Sequence, residues 1–190
     1  MDVGRGGGRT LARVAVLVRA GAAPMMWLGF TAAGIGLFLP GLTGRRIGLY
    51  AGAALFLVAA AVVAAVRRAR YRDLEAGAVR AARGDFLQDR AVTVRGRRRS
   101  YRWWLLLAWV LATASALAVP AAGGLLLAGA GAGLWLKAGL IGRREHAADV
   151  LWWVPVEWVP RGRPAGPRVE GYRTTGPAAG DAAPGGARRR

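Results

Sequence analysis

The chain has 190 residues, of which 54% are apolar, yet its formal net charge is +18. A water-soluble domain rarely combines the two properties, and here they are segregated along the chain into uncharged runs and arginine-rich segments, which points to a bilayer. There is no cysteine, which excludes disulfides, thiol nucleophiles and cysteine metal sites.

Residues 1–23 form the first predicted element, a basic amphipathic lead-in. Arg5, Arg9 and Arg13 are spaced by four and would share one face of a helix. Such a helix would lie at the membrane surface. A signal peptide ending near residues 20–22 is the weaker alternative, because Arg19 interrupts its apolar core.

The first transmembrane hairpin is predicted at residues 24–66, with spans at 24–42 and 47–66. Neither span contains a charged residue, and Pro40-Gly41 marks the turn between them. Each span would give about 28–30 Å of helix, close to the hydrocarbon thickness of a bilayer.

Residues 67–102 form a basic loop with twelve arginines and four acids. The loop would keep itself in the cytoplasm by its charge, and beyond that it would contact anionic lipid headgroups or an acidic protein partner. Nucleic acid is the least favoured partner, because few aromatic residues accompany the arginines. The arginines predicted to make these contacts are Arg67, Arg68, Arg70, Arg95, Arg97, Arg98, Arg99 and Arg102.

The second transmembrane hairpin is predicted at residues 103–141, where the one charge is Lys137. A single helix of this length would measure about 58 Å, roughly twice a bilayer core, so the run must fold back. Pro120 marks the turn, which gives spans at 103–119 and 124–141.

Two pairs of glycines at a spacing of four are predicted to pack helices closely, within one protomer rather than between two. They are Gly48, Gly52, Gly129 and Gly133.

The C-terminal region is predicted as a Trp-rich interfacial segment at 142–160 and a disordered basic tail at 161–190. The segment is apolar but too short and too rich in proline to span a bilayer. Trp152, Trp153 and Trp158 are its candidate contacts with lipid or a partner. The tail has little to bury, since it is rich in Gly, Pro and Ala.

No residue is predicted to be catalytic or to bind a cofactor or metal. His146 is the one histidine, and no cysteine could join it as a ligand. The spans contain no carboxylate of the kind that cation-coupled transporters place there.

These patterns predict an all-α integral membrane protein, with four transmembrane helices in two antiparallel hairpins and both termini cytoplasmic. This orientation leaves 25 arginines inside and two, Arg45 and Arg46, outside, as the positive-inside rule requires. The expected location is the inner (cytoplasmic) membrane, with multiple passes. The expected role is a non-enzymatic scaffold or accessory subunit that contacts anionic headgroups, a larger membrane protein or further copies of itself. The alternative is an oligomeric pore or transporter component, better suited to anions than to cations.

Overall fold

A computed structural model describes residues 9–39, 41–159 and 163–181. The start of the predicted lead-in, with Arg5, and residues 161–162 and 182–190 of the predicted tail lie outside the described residues. The chain divides into two compact units. The sheet unit comprises Met1–Leu17, Arg67–Gly96 and Gly139–Arg190, and the helical unit comprises Val18–Val66 and Arg97–Ala138.

The predicted all-α fold class is wrong, because the described residues include a five-stranded sheet. The helices are α1 (Val14–Ala20), α2 (Ala22–Phe38), α3 (Arg45–Ala65), α4 (Arg68–Ala76), α5 (Arg90–Ala114) and α6 (Ala122–Ala147). The strands are β1 (Thr10–Arg13), β2 (Val79–Arg80), β3 (Phe86–Leu87), β4 (Leu151–Pro155) and β5 (Arg173–Thr175).

The sheet has the strand order β2-β5-β4-β1-β3. The central strand β4 is antiparallel to both neighbours, with Ala12 opposite Val154 and Trp152 opposite Thr174. The short edge strands β3 and β2 pair in parallel with β1 and β5. All five residues of β4 are buried, so this strand is covered on both faces and organises the core of the sheet unit.

The helical unit packs around the small residues of α6. Ala32 of α2, Ala112 of α5 and Leu127 of α6 form a buried cluster. The indole N–H of Trp109 donates to the Thr31 hydroxyl at 3.2 Å, which joins α5 to α2. Since α2, α3 and α6 are rich in Gly and Ala, their backbones approach closely without large side chains between them.

Among the described residues, three helical stretches are long and apolar enough to cross a membrane: Val14–Phe38, Arg45–Ala76 and Ala122–Ala147. The prediction of four equivalent spans is therefore corrected. The expected third span lies inside α5, which begins at Arg90 in the basic segment. Six arginines occupy the first half of α5, so its apolar part, from Trp103 onward, is much shorter than a full span.

Segments that were expected to be an amphipathic helix, a loop or a disordered tail contribute strands. β1 lies in the predicted amphipathic lead-in, β2 and β3 lie in the basic loop, and β5 lies in the predicted disordered tail. The reason is long-range pairing, because β1 forms hydrogen bonds with β4 and β3, which are distant in sequence. The local pattern of apolar and charged residues carries no information about such partners.

Candidate functional site

A buried ion pair joins β1 to the last turn of α6 within the sheet unit. Glu145, in the last turn of α6, has a side chain that is 1% exposed, and Arg13 of β1 donates to its Oε2 through Nη2 at 2.7 Å and Nε at 3.2 Å. The backbone N–H of Trp152 donates to the other carboxylate oxygen at 3.0 Å. Both oxygens of the buried carboxylate are thus hydrogen-bonded, which a buried charge requires.

A second ion pair lies beside the first. Arg144 donates through Nη1 to the Glu75 carboxylate at 3.0 Å and connects the end of α6 to α4. Because both acids are paired with arginine, this charged cluster stabilises the sheet unit and presents no free carboxylate to a ligand.

Two of the predicted contact arginines instead bind the chain itself. Arg67 donates to the carbonyl oxygen of Ala165 at 3.1 Å, and Arg70 donates to that of Val169 at 2.9 Å. Arg67 has a positive φ of 60° at the break between α3 and α4. These bonds attach the segment after residue 163 to α4.

Tyr172 holds the same segment together internally. Its hydroxyl is buried and donates to the carbonyl oxygen of Pro164 at 3.0 Å. Burial raises the pKa of Tyr172 above its ordinary value, because the phenolate would lose hydration that the neutral hydroxyl does not need.

The remaining arginines lie mostly on one helix. Arg95, Arg98, Arg99 and Arg102 of α5 are exposed and occupy positions i, i+3, i+4 and i+7, so they share one face. We call these four residues the arginine face. Arg97 points elsewhere, with its guanidinium 3.9 Å from the centre of the Tyr101 ring. Arg68, which also belongs to the predicted contact residues, is exposed on α4.

Two exposed tryptophans follow the arginine face directly. Trp103 and Trp104 are 68% and 69% exposed, and the Arg102 guanidinium lies 5.3 Å from the Trp103 ring centre. The helix continues beyond them with exposed leucines and valine, Leu106, Leu107, Val110 and Leu111. Within two turns, α5 therefore changes from cationic to aromatic to aliphatic.

The predicted tryptophan contacts are largely internal. Trp152 and Trp153 are buried in β4, and the Trp153 indole donates to the Thr175 hydroxyl at 2.7 Å. Trp158 is half-buried, with the guanidinium of Arg9 5.6 Å from its ring centre. The burial of Trp152 and Trp153 leaves them no surface with which to contact lipid or a partner.

The four predicted packing glycines all lie at close helix contacts in the helical unit, three against backbone and Gly52 against a side chain. A Cβ atom at Gly129 would collide with the backbone of Phe56, and one at Gly133 would lie 2.6 Å from the carbonyl oxygen of Ala60. A Cβ atom at Gly48 would meet Pro120, and one at Gly52 would meet Leu125. α6 thus contacts α3 along one face within a single chain.

Sequence reasoning missed both Arg13–Glu145 and the contact between α6 and α2. Gly29 and Gly124 pack against each other's helices, and a Cβ atom on either would collide with the opposite backbone. The small residues of α2 and α6 could have indicated this helix contact from the sequence. Nothing near Glu145 in the sequence indicated its ion pair, because its partner is 132 residues away.

The described residues contain no group of three or more His, Cys, Asp or Glu side chains arranged to hold a metal ion. Comparison with protein-family models, curated proteins and solved structures finds no match to this chain.

Proposed function

We propose that this chain is a non-enzymatic membrane subunit whose helical unit anchors it in the cytoplasmic membrane. Its sheet unit would act at the cytoplasmic surface as a scaffold or accessory module for a larger protein. The three long apolar helices support the membrane part of the proposal.

The assembly of the sheet is the observation that carries the proposal. β1 precedes the long helices, β2 and β3 lie between them, and β4 and β5 follow them. Because a bilayer cannot pass through a hydrogen-bonded sheet, all five strands must lie on one side of it. Along the chain, the segments of the sheet unit are interrupted twice, first by α2 and α3 and then by α5 and α6, so the helical unit is an insertion into the sheet unit and would serve as its anchor.

Charge favours the cytoplasm as the side that holds the sheet. The segments of the sheet unit carry most of the basic residues of the chain. At one end of the helical unit the two turns are bonded together, since the Leu42 N–H donates to the carbonyl oxygen of Leu117 at 3.0 Å. This end carries few basic residues, Arg45 and Arg46 among them. The positive-inside rule therefore favours placing it on the outer side of the membrane.

The packing gives no support to the pore alternative within one chain. α6 contacts α2 and α3 through glycines whose backbones touch the neighbouring helices. Such close packing does not favour a hydrated pathway between these helices, and the pore alternative stays an oligomeric one.

Single cysteines test the placement, because the native chain contains none. Gly44→Cys and Gly176→Cys are suitable, since a side chain at either position meets open space. In intact cells an impermeant maleimide should label the Gly44→Cys chain, and it should label the Gly176→Cys chain only after permeabilisation. The opposite pattern would contradict the cytoplasmic placement of the sheet unit.

The scaffold role is tested on the intact chain purified from its native membranes in mild detergent. The mass of the particle, measured by light scattering, should exceed that of the chain by one stoichiometric partner. A chain recovered alone would contradict the accessory role. Anion flux into liposomes that contain this chain alone would contradict the scaffold and favour an oligomeric pore.

A further inference from the structure

We infer that the arginine face of α5 is a binding site for the headgroups of anionic phospholipids in the adjacent leaflet. The inference rests on the proposed membrane placement and identifies the ligand of one surface. It does not depend on whether a protein partner exists.

The arginine face is a concentration of charge that the protein does not neutralise. Among the described residues, no carboxylate forms an ion pair with Arg95, Arg98, Arg99 or Arg102. α5 itself contains no acidic residue. Like charges at i, i+4 destabilise a helix, so a bound anion would relieve a repulsion that the protein leaves in place.

The position of the face along α5 selects a lipid rather than another anion. Trp103 and Trp104 follow within one turn, and indoles favour the headgroup boundary of a bilayer. The exposed aliphatic side chains begin one turn later, at Leu106. Arginines placed just above an aromatic boundary lie at the depth of the lipid phosphates, where their planar guanidinium groups can bind phosphate oxygens in pairs.

A soluble acidic protein or a nucleic acid fits this arrangement less well. Either would meet the arginines but would leave the tryptophans and the adjoining leucines exposed to water. A phospholipid satisfies both parts, because its phosphate meets the arginines and its acyl chains cover the apolar side chains.

The test uses the full chain in nanodiscs that contain phosphatidylcholine and phosphatidylglycerol, with bound lipids counted by native mass spectrometry. The test variant changes all four residues of the arginine face to glutamine, which is also a good helix former. The matched control changes four exposed arginines of the sheet unit, Arg68, Arg72, Arg80 and Arg83, to glutamine. Both variants lose the same net charge.

Wild type and control should retain phosphatidylglycerol over phosphatidylcholine, and the test variant should lose this preference by about tenfold or more. Each basic residue near an anionic surface contributes roughly a fivefold factor, so the loss of only two of the four contacts would already exceed about tenfold. Equal loss in the test and control variants would show a response to net charge and would overturn the site. Retention by the test variant would overturn it as well.

A measurement on the wild type removes any dependence on how the variants fold. Amide hydrogen exchange of residues 95–104 should slow in discs with phosphatidylglycerol relative to discs of phosphatidylcholine alone, while exchange in β5 stays the same. No change at 95–104 would overturn the site, as would stronger protection by an added acidic peptide or RNA. These outcomes leave the proposed scaffold role intact, since that role is judged by the purified particle.

Discussion

Replacing Glu145 by glutamine tests the buried ion pair that joins β1 to the last turn of α6. The substitution preserves the shape of the side chain, and its amide oxygen can still accept the N–H of Trp152. It removes the negative charge that faces the Arg13 guanidinium at 2.7 Å. Arg13 would then be held beside a neutral group in a partly buried position.

The expected cost is about 3 kcal/mol of the free energy of unfolding of the sheet unit. Breaking a buried ion pair by removing one partner costs about 3–5 kcal/mol, because the other charge is left unpaired. The lower end applies here, since the Arg13 side chain is 33% exposed and water can partly solvate it. Replacing both residues with apolar ones, as Arg13→Met with Glu145→Leu, should recover most of the loss.

Native-state hydrogen exchange of the amides of β1 and β4 measures this free energy directly in the full chain reconstituted in lipid. Glu157→Gln is the matched control, because Glu157 pairs with Arg9 at 3.4 Å with a side chain that is 59% exposed. Exposed pairs contribute little, so the control should leave exchange almost unchanged. If Glu145→Gln changed exchange no more than Glu157→Gln, the structural role of the buried pair would be refuted.

Further changes test the helical unit and the C-terminal segment. Gly129→Ala places a Cβ atom against the backbone of Phe56 and should lower the free energy of unfolding by about 1–3 kcal/mol. Gly139→Ala is the control, because its Cβ atom meets open space on the same helix. Thermal unfolding in detergent would show the difference, and equal melting temperatures would contradict the packing. Tyr172→Phe leaves the carbonyl of Pro164 unpaired and should lower the free energy of unfolding by about 1 kcal/mol. The segment after residue 163 should then be cleaved faster by protease, and unchanged proteolysis would contradict the role of this bond. Because the pKa of Tyr172 is raised in the folded state, its contribution to stability is complete below the unfolded pKa of about 10 and is lost as pH rises above it. The loss of stability at alkaline pH, followed by circular dichroism, should therefore be smaller in Tyr172→Phe than in the wild type. Equal pH dependence in the two chains would refute this.

The apolar helices could be predicted because their signal is local. Uncharged runs long enough to cross a bilayer mark α2, α3 and α6, and Pro120 marks the turn before α6. The packing glycines could be located for the same reason, since small residues at a spacing of four indicate close helix contacts wherever apolar helices meet.

The sheet could not be predicted because its signal is not local. β2 and β3 have two residues each and depend entirely on their partners. β4 is buried on both faces and shows no alternation, so Trp152 and Trp153 looked like interfacial residues. Arg13 fitted a helical spacing with Arg5 and Arg9, but β4 and Glu145 fix it in a strand.

Which of the predicted contact arginines bind other parts of the chain could be predicted only in part, because this too depends on long-range contacts. The surface role of an arginine depends on what the folded chain leaves free. Arg67 and Arg70 bind carbonyl groups of a segment nearly a hundred residues later in the chain. Arg98 and Arg99 form the second pair. All four arginines are exposed, and the two pairs differ in these hydrogen bonds, which only the structure reveals.

The central place of β4 in the sheet has a consequence for how the protein is made. β1 is among the first described segments to be synthesised, but its antiparallel partner β4 follows α6, the last of the long helices. The ribosome must therefore complete every long helix before β1 can pair with β4. Until then the nascent chain exposes unpaired strand edges, the kind of feature that chaperones and membrane proteases recognise. Closure of the sheet between β1 and β4 therefore comes after the synthesis of all the long helices, and a chain that stops before β4 would leave that edge of β1 unpaired.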